Sequence, residues 1–421
     1  MPKPSDFLPI VNTESPGDAA ELASIVRDAH DSATPLYPIG GGTSLDFGLP
    51  AKAKGTGLSL SKLDRVVDYP ARDMTITIEA GITMGKLAEI LAGEKQRLPI
   101  DPPNGAAATL GGVVATNFNG PRRYGEGSIR DYVIGISAVD GRGIPFKGGG
   151  RVVKNVAGYD FCKLLTGSLG TLGVITQLTL KVRPQPEALR LLAIGAKDDA
   201  GAERLLAALA VSQATPSAIV LVSGPQWQSD PALGGAIAKG AEGPARAAIV
   251  VALEGTAKEV AWMQNHIATE VRAEGATCTD AIADQDAAAV WQRLCDFPQA
   301  GDAALTIKAS MVAEGTVPFA AAVRQLDPKA NLLAHAGNGT VFARFPQFPA
   351  GGLSRGLLGQ LMPVAGKYHG NVMVLSNPTG AEATHRATWG GIDIPYQLMT
   401  QVKRQFDPAN ILNPGRFVYG E

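Results

Sequence analysis

The chain has 421 residues, more than one ordinary hydrophobic core accommodates, and this length predicts two domains. Its 38 lysines and arginines nearly balance its 39 aspartates and glutamates, which argues against nucleic acid or an acidic membrane surface as the main partner. Because the chain has no apolar run of membrane-span or signal-peptide length and only widely spaced cysteines, we expect a soluble, cytoplasmic protein that reaches a membrane only through partners.

The beginning of the chain predicts a helix, a short strand and a glycine loop in that order. Ser15 is the predicted N-cap of the helix, Pro16 occupies its first turn, and apolar residues at helical spacing follow. A strand at 36–39 then leads directly into Gly40. The segment therefore delivers a glycine-rich loop from the end of a strand.

Further strands and helices follow up to residue 186. Alternating side chains predict a strand at 74–79, and helical spacing predicts a helix at 84–91. A hairpin is indicated with its turn at Asp140-Gly141. A β-rich run ends at Pro184, after which alanine-rich helices alternate with strands, a pattern typical of a separate α+β layer domain. A further helix is predicted at 396–406.

Three loops in the first 186 residues are rich in glycine and small side chains: GGGTS at 40–44, DPPNGAAATLGGVVATNFNG at 101–120 and GSLGTLGVIT at 167–176. Glycine lets backbone amides turn toward a ligand, and successive amides form an anion-binding concavity. No lysine follows the first loop as a P-loop requires, and its glycines do not have Rossmann spacing. The loops therefore suit the pyrophosphate of a dinucleotide bound in another way.

The order of six motifs resembles a known family. PIGGGTS, TLGGVVATNFNG, RRYGEGSIRDYVIG, KNVAGYD, GSLGTLGVIT and FDPANILNPGR together are similar to the FAD-linked oxidases of the vanillyl-alcohol oxidase (PCMH-type) family, and within it to the E subunits of bacterial glycolate oxidase, also called glycolate dehydrogenase. The resemblance implies an α+β protein. It would have a two-part PCMH-type FAD-binding domain (1–186), an α+β, ferredoxin-like cap domain (187–365) and a C-terminal segment (366–421) that packs back on the FAD domain.

The resemblance also implies the residues that line FAD. They come from the three loops and from the end of the chain: Ile39, Gly40, Gly41, Gly42, Thr43, Ser44, Pro102, Thr109, Gly111, Gly112, Ala115, Asn117, Gly120, Gly173, Val174, Ile175 and Asn413. Some relatives attach the flavin through histidine or cysteine, but neither residue occurs in the loops at 40–44 and 101–120. We therefore expect non-covalent FAD.

The catalytic apparatus of related D-2-hydroxy-acid dehydrogenases is only partly present. In those enzymes a histidine-rich run and a later Glu-His-Gly form a metal site. HAGNGTVFARF keeps His335 and Gly337-Asn338-Gly339 of that run, but its second histidine is replaced within Thr340-Val341-Phe342, and no Glu-His-Gly exists. We therefore expect no metal. His335 remains a candidate base, Lys308 a candidate carboxylate ligand or a solvent-exposed strand lysine, and Tyr159 of KNVAGYD either a base or, with Lys154, a brace of its loop.

These observations predict the FAD-binding subunit of a glycolate (D-2-hydroxy acid) dehydrogenase complex, an oxidoreductase that converts glycolate to glyoxylate. The resemblance implies a related catalytic FAD subunit and an iron–sulfur subunit as partners, because this chain has no cysteine motif for a cluster. Two alternatives stay open. The chain could be a self-sufficient FAD-dependent dehydrogenase, or a non-catalytic assembly subunit with vestigial FAD.

Overall fold

The structure of the chain, a computed structural model, describes residues 4–151, 158–240, 247–299, 301, 303–391 and 396–417. The chain divides into two compact units. Unit 1 comprises Met1–Asn119, Ser128–Gln185 and Ile392–Glu421, and unit 2 comprises Gly120–Gly127 and Pro186–Gly391. The mixture of helices and sheets confirms the α+β expectation.

The strands of the described residues are β1 (Ile10–Glu14), β2 (Leu36–Ile39), β3 (Gly55–Ser59), β4 (Val66–Asp68), β5 (Thr75–Glu79), β6 (Gln96–Arg97), β7 (Val133–Val139), β8 (Pro145–Gly149), β9 (Val174–Lys181), β10 (Arg183–Pro184), β11 (Ala188–Gly195), β12 (Ala218–Ser223), β13 (Ala247–Gly255), β14 (Cys278–Ala281), β15 (Leu305–Ser310), β16 (Asn331–His335), β17 (Thr340–Phe345) and β18 (Asn371–Ser376). The α-helices are α1 (Ala19–Asp31), α2 (Met84–Ala92), α3 (Leu110–Thr116), α4 (Arg123–Glu126), α5 (Ile129–Tyr132), α6 (Phe161–Leu165), α7 (Asp199–Ala210), α8 (Pro225–Gln228), α9 (Gly234–Gly240), α10 (Ala257–Ala273), α11 (Asp284–Asp296), α12 (Thr316–Leu326), α13 (Gly359–Lys367), α14 (His385–Trp389) and α15 (Tyr396–Phe406).

Unit 1 contains two larger sheets within its described residues. The order β1-β3-β2 forms a parallel three-stranded sheet, and β4-β5-β9-β7-β8 forms an antiparallel five-stranded sheet. The expected hairpin is confirmed, since β7 pairs with β8 across residues 140–144. The predicted start of the first helix is wrong, because Asp18 is the N-cap and its carboxylate accepts from the amides of Ala20 and Glu21.

The end of the described chain packs on unit 1. Leu36 of β2 donates its amide to Ile411 O at 2.7 Å, and Leu36 O accepts from the amide of Asn413 at 2.9 Å. Helix α15 has the bounds that the sequence predicts. These hydrogen bonds extend the edge of the parallel sheet with the terminal motif, which therefore lies beside the loop that follows β2.

Unit 2 is built on one antiparallel sheet of eight strands, with the order β14-β11-β13-β12-β16-β17-β15-β18 in its described residues. The strands fall into two consecutive βαββαβ motifs, β11-α7-β12-β13-α10-β14 and β15-α12-β16-β17-α13-β18, each with the ferredoxin-like strand arrangement. The second strands of the two motifs, β12 and β16, join the halves. The topology of one motif is thus present twice in unit 2.

The two faces of this sheet differ. One face, with residues such as Leu221, Leu332 and Ile307, belongs to a core cluster that includes the apolar faces of α7, α10, α12 and α13. Helices α8, α9 and α11 contact strands of the first motif. The opposite face of the second motif carries the polar residues Lys308 and His335, whose position matters for function.

Two segments lie in a different unit from the expected domain. Residues 366–391 belong to unit 2 because β18 pairs with β15, and not to the segment that packs on unit 1. Residues 120–127 also belong to unit 2, where the amide of Gly125 donates to Ser217 O at 3.0 Å. The boundary between the second segment of unit 1 and the main segment of unit 2 lies after Gln185.

Candidate functional site

A cleft in unit 1 lies among the three glycine loops and the end of the chain. Its lining brings together most of the predicted cofactor residues: Gly40, Gly41, Gly42, Thr43, Ser44, Pro102, Thr109, Gly111, Gly112, Ala115, Gly173, Val174, Ile175 and Asn413. The three loops are distant in sequence, so the cleft depends on the folded arrangement of unit 1.

The first two glycines of the GGGTS loop are required by protein packing. A Cβ at Gly40 would lie 2.0 Å from Thr109 Oγ1, and one at Gly41 would lie 1.9 Å from Ala107 O. Gly42 has φ +71° and only Leu45 nearby, so it needs glycine for its backbone conformation. The triple glycine thus lets two loops meet closely before the chain turns into the cleft.

Several backbone donors on the cleft wall have no acceptor in the described part of the chain. The amides of Gly42, Thr43, Gly170 and Gly173 make no hydrogen bond there, and neither does the hydroxyl of Thr43. Unsatisfied amides in a concave, partly buried wall are the donors that an anionic group binds. This wall therefore fits a phosphate-bearing ligand.

Helix α3 contributes fewer free donors than the sequence indicates. The amide of Leu110 donates to Ile82 O and that of Gly111 to Ala80 O, at 2.9 and 2.7 Å. The hydroxyl of Thr109 accepts from the amides of Gly41 and Gly112 at 3.3 and 3.4 Å. The second loop therefore shapes the cleft and braces the first loop.

Three predicted cofactor residues are not in the lining of the cleft. Ile39 is buried in a small core cluster with Leu8 and Tyr37. Asn117 ends α3 in the left-handed conformation, with φ +50°. Gly120 belongs to unit 2. Ile39 and Asn117 each lie between two lining residues in the sequence, so only the folded structure separates them from the cleft wall.

Other residues that line the cleft were not predicted from the sequence, and Arg416 is the most informative of them. Its side chain is 8% exposed, and its Nη2 donates to Leu45 O and Phe47 O at 2.5 Å each. Burial lowers the pKa of Arg416 to about 10, so the guanidinium stays charged at neutral pH. The final arginine of FDPANILNPGR was the available signal. Leu45, Phe47, Phe118 and Gly170 also line the cleft without having been predicted.

In unit 2, strand register places His335 and Lys308 on the same face of the sheet. His335 pairs with Thr340, and two residues further along β17 Phe342 pairs with Lys308. His335 is buried, Lys308 is half-buried, and the Phe342 ring packs edge-on against the imidazole at 5.3 Å. The ring of Tyr124 in α4 packs against the backbone of Gly337, which brings the neighbouring Arg123 to the same end of the sheet.

Two of these three basic groups, His335 and Lys308, have lowered pKa values. Burial, followed by Lys308 and Arg123, lowers the pKa of His335 to about 3, so its imidazole is neutral at physiological pH. Burial and Arg123 lower the pKa of Lys308 to about 8. None of the three forms an ion pair with the described residues. A cluster of basic groups without an acidic partner favours an anionic ligand.

The third catalytic candidate, Tyr159, lies elsewhere. Its side chain is 85% exposed in unit 1, and its nearest aromatic neighbour is Phe161, with ring centroids 6.2 Å apart. It is not in the lining of the cleft. Lys154 lies outside the described residues. We therefore leave Tyr159 out of the candidate site.

The described residues contain neither a metal-binding cluster nor a membrane-spanning helix. No three or more His, Cys, Asp or Glu side chains among them are arranged to hold a metal ion. None of their helices has the length and apolar character needed to cross a bilayer. The candidate functional features are therefore the charged face of unit 2 and the cleft of unit 1.

Comparison with solved structures identifies the fold. The chain is similar to p-cresol methylhydroxylase, with a TM-score of 0.71 over 97% of this chain and 90% of that chain, at 15% identity. Residues 13–147 match the FAD binding domain. The protein therefore has a PCMH-type FAD-binding fold. Residues 393–417 also match the C-terminal domain of FAD linked oxidases.

Two curated relatives agree with this assignment. Glycolate oxidase subunit GlcE of Escherichia coli is 38% identical over 168 residues, 40% of this chain and 47% of the relative. D-2-hydroxyglutarate dehydrogenase of Xanthomonas citri is 34% identical over 185 residues, 44% of this chain and 39% of the relative. The alignments thus span less than half of either relative. They confirm the resemblance that the six motifs indicate.

Proposed function

We propose that this chain is the FAD-binding subunit of a 2-hydroxy-acid dehydrogenase, with glycolate as substrate. The observation that carries the proposal is the set of free amides at Gly42, Thr43, Gly170 and Gly173 in a cleft of the FAD-binding domain. The substrate class is supported by similarity to a glycolate oxidase subunit and a D-2-hydroxyglutarate dehydrogenase.

FAD would be held by the loops of unit 1. The amides of Gly42 and Thr43, with the Thr43 hydroxyl, would bind its pyrophosphate from one wall, and the amides of Gly170 and Gly173 would contact the cofactor from the other. Asn413 would add its Oδ1 atom, which is buried and has no hydrogen-bond donor among the described residues. No histidine or cysteine lies among the lining residues that the structure describes, which supports non-covalent binding.

Unit 2 would bind the substrate anion. Lys308 and Arg123 would attract the carboxylate, and the neutral imidazole of His335 would accept the proton of the 2-hydroxyl group. A bound carboxylate would raise the pKa of both His335 and Lys308, because an opposite charge favours their protonated forms. The chemistry that FAD supplies when bound is acceptance of the hydride from the α-carbon, which leaves a 2-oxo acid.

The first experiment separates this proposal from its two alternatives. The purified chain is mixed with FAD, desalted, and its flavin absorbance is followed anaerobically after glycolate is added. We expect the chain to retain FAD and to support glycolate oxidation in the presence of a co-expressed related flavin subunit and iron–sulfur subunit. Sustained glycolate-dependent dye reduction by the chain alone, without either partner subunit, would instead indicate a self-sufficient dehydrogenase.

A variant pair tests the assigned residues. Lys308→Met removes the expected carboxylate ligand, whereas Lys367→Met removes a cation from the end of α13 and serves as the control. We expect the first variant to raise the KM for glycolate at least about tenfold, the effect of losing one charged contact of 1.4 kcal/mol or more, and the control to leave it unchanged. Absence of retained flavin in the correctly folded wild-type chain would refute the proposed function altogether.

A further inference from the structure

The terminal residues 411–416 join the two walls of the cofactor cleft. On one side, Arg416 Nη2 binds Leu45 O and Phe47 O, and Arg416 O accepts from the amide of Leu49 at 2.9 Å. On the other side, Asn413 Nδ2 donates to Leu169 O at 2.7 Å. A single six-residue segment therefore fixes both loops that carry the free amides.

The turn that precedes Arg416 directs its side chain back into the protein. Asn413 and Gly415 have φ values of +45° and +77°, and the Arg416 amide donates to Asn413 O at 3.3 Å. Asparagine and glycine adopt this left-handed conformation more readily than other residues do. The Asn-Pro-Gly-Arg sequence thus forms a turn whose last side chain reaches the loop that follows Ser44.

Arg416 also brings a positive charge to the cleft. Its side chain lines the cleft and forms no ion pair with any described residue, although the Asp46 carboxylate contributes to its electrostatic environment. Only its Nη2 atom is occupied by the two carbonyl groups. A buried cation beside unsatisfied amides attracts an anion more strongly than it would in water.

We propose that Arg416 is a positioning residue that makes the cleft selective for the phosphate-bearing part of the cofactor. It fixes the 40–48 loop through Leu45 O and Phe47 O, so that the amides of Gly42 and Thr43 stay directed at the ligand, and its charge favours an anion there. The proposal rests on the proposed function, since it assumes that FAD occupies the cleft. Phosphate recognition would then depend on a side chain far from the glycine loop in sequence, because Arg416 and Leu45 are 371 residues apart.

The test compares FAD with riboflavin, which lacks the whole ADP portion of FAD and therefore carries no phosphate. Binding of FAD and of riboflavin, which has no phosphate, is measured by flavin fluorescence for the wild type, Arg416→Lys, Arg416→Met and the control Arg404→Met on the exposed side of α15. We expect Arg416→Met to weaken FAD binding about 10- to 100-fold, the range for loss of charged hydrogen-bond contacts, and to change riboflavin binding less than about threefold. Arg416→Lys keeps the charge but not the two-carbonyl geometry and should give an intermediate loss. Arg404→Met should change neither.

The outcomes separate selectivity from simple support of the fold. Equal losses for FAD and riboflavin, or unchanged FAD binding in Arg416→Met, would overturn the proposal. If Arg416→Met does not fold, the same FAD-to-riboflavin ratio in Arg416→Lys decides the question, and an unchanged ratio overturns it. A wild-type chain that binds no FAD would refute the proposed function and is distinguishable, because it is seen before any variant is compared.

Discussion

The buried pair Lys403–Asp407 holds the C-terminal segment against unit 1, and its removal gives the most quantitative prediction. Lys403 Nζ donates to Asp407 Oδ2 at 2.5 Å, to Thr171 O at 2.9 Å and to Leu412 O at 3.1 Å. The two side chains are 5% and 0% exposed. Because Thr171 lies in the third glycine loop, the lysine also joins α15 to the loop beside the cleft.

Lys403→Met would leave the Asp407 carboxylate buried without its counter-ion. Breaking one partner of a buried ion pair costs about 3–5 kcal/mol, because the remaining charge is not compensated. Asp407 still accepts from the amides of Ile411 and Leu412, at 3.1 and 2.7 Å, so the second substitution Asp407→Asn should recover roughly 1–2 kcal/mol by removing the charge while keeping an acceptor.

The assay uses the distribution of tryptophan. All four tryptophans lie in unit 2, so their fluorescence reports that unit, whereas release of bound flavin reports unit 1. With a urea m-value of about 1–3 kcal/mol per molar, a cost of about 3–5 kcal/mol means that Lys403→Met should lower the flavin-release midpoint by roughly 1–5 M. Lys163→Met, which breaks an exposed pair with Asp160, is the control and should cost at most about 1 kcal/mol. The reasoning fails if the two variants shift that midpoint equally.

Three further predictions follow from buried or crowded positions. Glu254→Gln leaves the Arg122 guanidinium, now paired at 2.7 Å with side chains 13% and 4% exposed, without its anion, and should lower the tryptophan-detected stability by about 3 kcal/mol; a loss below 1 kcal/mol would contradict this. Gly41→Ala should weaken FAD binding at least about tenfold, because the loops must separate to relieve the 1.9 Å contact with Ala107 O; unchanged titration by FAD would show that they yield at low cost. Oxalate binding, measured by calorimetry, should weaken as pH rises through about 8, where Lys308 loses its proton, and Lys308→Met should abolish that dependence; a pH-independent wild type would exclude Lys308 as the anion ligand.

Local patterns could be predicted from the sequence where one stretch of chain determines the structure. The strand before Gly40, the hairpin and helix α15 are of this kind, since periodicity and turn residues act over a few positions. The predicted start of α1 was wrong because Ser15 and Asp18 are both favourable N-cap residues. Only the hydrogen bonds that the Asp18 carboxylate accepts from two amides identify it as the N-cap.

Properties that depend on distant segments could not be obtained in this way. Arg416 reaches Leu45 O only because the chain returns to β2, and Arg123 approaches His335 only because residues 120–127 fold with unit 2. The predicted role of Gly41 was also incomplete. In the sequence, a glycine that avoids another backbone looks the same as a glycine that approaches a ligand. The resemblance to a known family predicted FAD as the cofactor, whereas packing in the structure explains why the individual positions are glycine.

The charges in unit 2 bear on how a hydroxy acid could be bound without the histidine-rich metal site of the related dehydrogenases. Burial, followed by Lys308 and Arg123, lowers the pKa of His335, and no carboxylate among the described residues contributes to it. A divalent cation at this face would be repelled by Lys308 and Arg123, whereas a carboxylate would be attracted by the same two side chains. The replacement of the second histidine of the run within Thr340-Val341-Phe342 therefore fits the proposed function, in which protein cations would neutralise the substrate. His335, kept neutral by burial and by those cations, would accept a proton only after the anion has bound and raised its pKa.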